Sequence, residues 1–113
     1  MEIKWKIKSF DDLSVHELYD ILRLRSEIFV VEQNCVYLDL DGKDKVALHL
    51  YGEFEGKTVA YSRLFKPGIS FENASIGRVV VDATYRDRKW GNELMREAIA
   101  GIKKHFGESK ITI

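Results

Sequence analysis

The hydrophobic periodicities of this chain predict an α+β fold built on a mixed sheet. Short segments alternate or run apolar at strand length, and two longer ones repeat apolar residues at helical spacing. They follow one another as β-α-loop-β-β-β-α-β, with no internal repeat, low-complexity stretch or linker between them. The 113 residues suit one domain, spanning 1–113. A domain of that size removes roughly 65% of its unfolded surface from water.

Each element has its own signal. Ile3, Trp5 and Ile7 alternate with Lys4, Lys6 and Lys8, the period of a half-buried strand whose lysines protect an edge from further pairing. Ser14 and Glu17 have the spacing of a capping box. Leu18, Ile21, Leu22, Ile28 and Phe29 then predict a helix to about Val30 or Val31. No period persists over 32–45, where Asp39, Asp41, Gly42 and Asp44 mark turns. Residues 46–54 and 58–65 read as strands joined by a hairpin at Glu55, Gly56 and Lys57. After a loop opened by Lys66, Pro67 and Gly68, residues 74–82 form a strand whose Val79, Val80 and Val81 suit burial on both faces. Leu94, Met95, Ala98, Ile99, Ile102 and Phe106 make a helical stripe closed by Gly107 as a left-handed cap, and residues 111–113 begin another strand. Trp5, Phe54, Phe65 and Phe71 are expected in the core.

Composition narrows the function. Apolar residues are 45% and charged residues 32%, enough for a core and too apolar for a disordered tail. Lys plus Arg equals Asp plus Glu at 18 each, so no global charge attracts nucleic acid or membrane, and neither is an expected partner. One cysteine, Cys35, forms no internal disulfide, and the start of the chain lacks the apolar stretch of a signal peptide, which makes the cytoplasm the expected compartment.

The segment with readable chemistry runs from Val79, Val80 and Val81 through Arg86, Asp87, Arg88, Lys89 and Trp90 to Gly91 and Asn92. It is a strand, a basic loop and a helix start. A helix start carries partial positive charge and disfavours cations, yet three sit here with only Asp87 nearby in sequence. A bound polyphosphate resolves the conflict, since amides and cations then share one anion, and Gly91 lets backbone approach it without a Cβ in the way. A solvated basic loop is the plain alternative. The segment lacks Gly-Lys-Ser/Thr and dinucleotide glycine spacing, so it is neither a nucleotide P-loop nor a dinucleotide fingerprint. Lys103, Lys104 and His105 lie at a helix end, where cations are welcome.

This segment resembles the acyl-CoA loop of the GCN5-related N-acetyltransferase (GNAT) superfamily, whose pattern is Arg/Gln-x-x-Gly-x-Gly/Ala. Arg86, Lys89 and Gly91 occupy the marked positions, with Lys89 in place of the first glycine. Leu24, Arg25, the run Phe29, Val30, Val31, Glu32, Gln33, Asn34 and Cys35, then Tyr37, Asp39, Asp41 and Gly42, resemble the ElaA-like branch. Ile76, Gly77, Arg78 and Val79 are similar to it as well. The resemblance implies a mixed, mostly antiparallel central sheet flanked by helices, lacking the family's last helix and strands. It implies acetyl-CoA as donor and a small-molecule or peptide primary amine as acceptor. The strand at Val79, Val80 and Val81 would pair with the pantetheine arm, and the loop amides from Arg86 to Asn92 would hold the pyrophosphate. No metal is implied. The family's thiolate-protonating tyrosine has no match among Tyr19, Tyr37, Tyr51, Tyr61 and Tyr85, so the catalytic residues stay unassigned and a non-catalytic CoA-binding module is the alternative. The truncated sheet edge at Ile111 and Ile113 is expected to drive self-association.

The other candidates have plain readings. His49, between Leu48 and Leu50, reads as a packed, hydrogen-bonded strand histidine rather than a base, and Glu32 as either a base or a helix-end carboxylate. Cys35 reads as a small buried or structural cysteine. The Asp39-x-Asp41-Gly42-x-Asp44 run lacks the glycine position and distal glutamate of an EF-hand and reads as a turn. Arg63 and Arg78 either pair with carboxylates inside the sheet or line the acceptor groove.

Overall fold

A computed structural model describes residues 2–113. Five strands form one sheet in the order β1-β2-β3-β4-β5: β1 Lys4–Ser9, β2 Leu48–Phe54, β3 Lys57–Phe65, β4 Ala74–Val81 and β5 Ile111–Thr112. The first four pair antiparallel, and β5 runs parallel to β4. The sheet is therefore mixed and mostly antiparallel, and the lysine-faced β1 is its edge as expected. Helix α1, Val15–Arg25, packs Ile21, Leu24 and, beyond its end, Ile28 against Tyr51, Tyr61 and Val80 on one face. Helix α2, Trp90–Phe106, packs Leu94, Ala98 and Ile102 against Leu50, Ala60, Leu64 and Ile76 on the other. Strand alternation feeds both layers, so neighbours such as Leu50 and Tyr51 enter opposite cores.

The local signals explain the element ends. The capping box forms, with Glu17 N–H donating to Ser14 Oγ at 3.0 Å and Ser14 N–H to Glu17 Oε1 at 2.9 Å. The helix continues to Glu32, but residues Ser26–Glu32 are π-helical, with Gln33 N–H reaching Ile28 O at 3.2 Å. The β2–β3 hairpin turns on Glu55 and Gly56, whose φ values of 52° and 76° match the twist of the flanking strands. Gly107, at φ 67°, donates to Lys103 O and ends α2. Residues 46 and 47, expected in a strand, leave the sheet because a short 3₁₀ turn, Asp44–Val46, precedes β2.

Two burial expectations fail in and just before β4. Val79 is exposed while Val80 is buried, because two residues of β4, Arg78 and Val79, oppose Ser62 alone on β3. Arg78 takes φ 51° in this bulge, which turns Val79 out of the pleat. Phe71 lies exposed in the loop before β4 rather than in the core.

Candidate functional site

The basic loop becomes a short 3₁₀ segment, Ala83–Arg88, kinked at Tyr85, between β4 and α2. Asp82 starts it by accepting Thr84 N–H at 3.0 Å, while its own N–H reaches Val59 O at 2.7 Å. Lys89 then takes φ 61° and ψ 21° and begins α2 with no side-chain cap. A left-handed residue is required here to turn the chain into the helix, which gives the physical reason for glycine in the family pattern. Because the first amides of any helix lack intrahelical acceptors, the N–H groups at 89–92 remain available to an outside anion. A Cβ built on Gly91 meets nothing within 4 Å, so the space in front of this helix start is open.

The loop's cations are not left together as the sequence suggested. Arg86 forms a two-pronged ion pair with Glu32 at the end of the π-helical turn, at 2.5 and 2.8 Å. The Arg86 hydrogen bond holds the Glu32 carboxyl below its ordinary value. Arg88 lies over Phe54, Tyr85 and Trp90, with ring centroids 5.1–5.6 Å away. These three rings also pack on one another. Asp87 is therefore not the nearest compensation; Glu32 and an aromatic triangle supply it. Among the described residues, Lys89 is the loop cation with no carboxylate or ring partner.

Beside the loop, β4 has a bare edge. Its pairing with β5 is confined to Ala74 with Ile111 and Ser75 with Thr112. From Ile76 to Val81 no described strand lies on that side. The bulge adds backbone groups at Arg78 and Val79 that β3 does not pair in regular register. From this edge Val79, Val80 and Val81 lead through Asp82 into the segment that carries Arg86, Asp87, Arg88, Lys89, Trp90, Gly91 and Asn92.

The residues that sequence reasoning did not assemble form a closed ring of alternating charge. Arg25 binds Asp39 and Asp44 at 2.9 and 2.8 Å. Arg63 binds Asp41 and Asp44 at 2.7 and 3.2 Å. Arg78 binds Asp39 and Asp41 at 2.8 and 3.5 Å. This fastens the irregular segment after α1 to α1, β3 and β4. The aspartates are engaged by guanidinium groups, and the run also turns as expected: Lys43 N–H donates to Asp41 Oδ1 at 3.0 Å across Gly42, which takes φ 82°. Arg63 holds the Asp41 carboxyl well below the usual carboxylate range. Arg25 on the buried stripe of α1 was the available signal.

His49 is buried beside this ring, with Nδ1 2.6 Å from Tyr61 Oη and Nε2 2.8 Å from Asp44 O. Burial lowers its pKa, so it is the packed, hydrogen-bonded histidine expected. Burial raises the pKa of Tyr61 and, together with Glu17, that of Tyr51. Cys35 is exposed, against the expectation of a buried thiol, because it follows the π-helical turn on the surface.

The acetyltransferase (GNAT) family model matches residues 10–113, and the chain belongs to that family. A UPF0039 protein of Synechocystis is 40% identical over 100 residues, covering 88% of this chain and 65% of the relative. Protein ElaA of Escherichia coli is 37% identical over 111 residues, covering 96% of this chain and 72% of its own. The ElaA crystal structure superposes with a TM-score of 0.90 over 97% of this chain and 76% of that one. An acyl-CoA N-acyltransferase of Pseudomonas aeruginosa, 38% identical, gives 0.86 over 91% and 72%. The chain thus spans about two thirds to three quarters of the length of these proteins. Among the described residues, no helix is long and apolar enough to cross a membrane.

Proposed function

We propose that the chain binds acetyl-CoA and takes part in moving its acetyl group to a primary amine, of a small molecule or a peptide. The observation that carries this reading is the uncapped, open start of α2 beside the bare edge of β4. Amides at 87–92 receive the pyrophosphate, and the backbone of Val79, Val80 and Val81 receives the pantetheine arm. The similarity to an acyl-CoA N-acyltransferase supports the donor class.

In the reaction, the amine nitrogen attacks the thioester carbonyl and the C–S bond breaks, leaving amide and CoA thiolate. The amine, with a pKa near ~10, first loses a proton to a base or water, and the thiolate then gains one. Backbone N–H groups near the Arg78–Val79 bulge are the candidates to hold the transient oxyanion.

Binding without turnover is favoured by one observation. Among the described residues, Glu32 is tied to Arg86 and His49 and Tyr61 are buried against each other, so these three groups are engaged with protein partners rather than open to an acceptor.

Calorimetric titration of CoA tests the site. Gly91→Val adds its side chain where the fold has room, so the variant folds and loses CoA affinity strongly, while Cys35→Ala binds as the parent does. Equal affinity in Gly91→Val and the parent refutes the site. Release of free CoA thiol from acetyl-CoA in the presence of primary amines, compared with a blank lacking amine, separates transfer from binding alone.

A further inference from the structure

We propose that the Glu32 carboxylate is a built-in occupant of the anion site, and that acyl-CoA binds by taking its place on Arg86. The inference rests on the acyl-CoA reading above and adds a coupling that the family membership does not contain.

Arg86 and Glu32 lie 54 residues apart and meet as fork and fork, the arrangement in which a carboxylate occupies both terminal nitrogens of a guanidinium. A phosphate has the same geometric demand and more charge, so it competes for those donors. Both side chains are substantially exposed, at 47% and 39%, so water can replace the contact as it breaks. An exposed pair of this kind is weak enough to be exchanged, yet it opposes any ligand that needs Arg86.

Glu32 also terminates the π-helical turn and leads into the irregular segment that carries Cys35 and Tyr37. Its release frees one corner of that segment. Donor binding at the α2 start and order in the segment after α1 are thereby coupled, and the coupling is reciprocal. A purely structural role for the pair makes a different prediction: removing either partner breaks the same bond and has the same consequence.

CoA titrated calorimetrically into the parent, Glu32→Gln and Arg86→Gln decides between them, with thermal melts confirming that each variant is folded. The exchange predicts opposite signs. Glu32→Gln binds CoA about two- to fivefold more tightly, the range an exposed ion pair supports, while Arg86→Gln binds more weakly. The double variant follows Arg86→Gln, because there is then no guanidinium to compete for. Amide hydrogen exchange at 33–37 quickens when CoA is added to the parent and is already quick in Glu32→Gln. If the parent binds CoA but both single variants shift affinity in the same direction, or Glu32→Gln leaves it unchanged, the exchange is overturned and the donor reading stands. If the parent gives no binding at millimolar CoA, the donor reading itself falls.

Discussion

Arg25 has no exposed surface, and a guanidinium in that position is tolerable only because two carboxylates meet it. Removing one partner of a buried pair typically costs about 3–5 kcal/mol, since the remaining charges stay buried. Here Asp39 and Asp44 each retain a second arginine, so Arg25→Met is expected at the lower end, about 3 kcal/mol. Urea denaturation of variant and parent measures it, and a variant as stable as the parent would show that the ring holds nothing. The ring's members were each visible in the sequence, but their pairing was not. Its bonds join residues 14 to 39 positions apart across an aperiodic segment, and no local pattern states which aspartate faces which arginine. Lys89 is the converse case. Its position was legible from the family pattern, and the structure supplies the reason, a backbone conformation that favours glycine.

At the scale of elements, periodicity and capping located the strands and helices because those signals are local. Bulges and the π-helical turn were not legible, since they arise from register set by partner strands and by the packing of Arg25 and Ile28. The bulge matters most, because it exposes Val79 and shapes the β4 edge. The capping box of α1 yields a pH-dependent prediction. Burial alone would raise the Glu17 pKa, but hydrogen bonds from Ser14 N–H, Tyr51 and Lys8 outweigh it and hold the group at about 2. A carboxylate with a depressed folded pKa stabilises the fold above its unfolded value, near 4.5, and that contribution is lost as pH falls towards 2. The parent should therefore lose stability more steeply than Glu17→Gln between about pH 5 and pH 2. Thermal melts across that range check it; parallel curves would mean that Glu17 contributes no linked protonation.

Over the whole molecule, the β4 edge has two claimants. Its backbone from Ile76 to Val81 has no described strand beside it, and Ile113, directly after β5, is 73% exposed. A bare edge next to apolar surface invites a second chain to add a strand, and we propose self-association of this 113-residue chain through that side. The same edge is where the pantetheine arm is proposed to lie, so the two events exclude each other. A ligand that binds only the monomer draws the equilibrium towards it by mass action. Sedimentation at rising protein concentration should show association, and saturating CoA should reverse it. Ile113→Lys should weaken association without lowering CoA affinity, because the side chain is exposed and lies outside the α2 start. A monomer at every concentration would end the association proposal. Association indifferent to CoA would place it on another face, leaving the β4 edge to the cofactor alone.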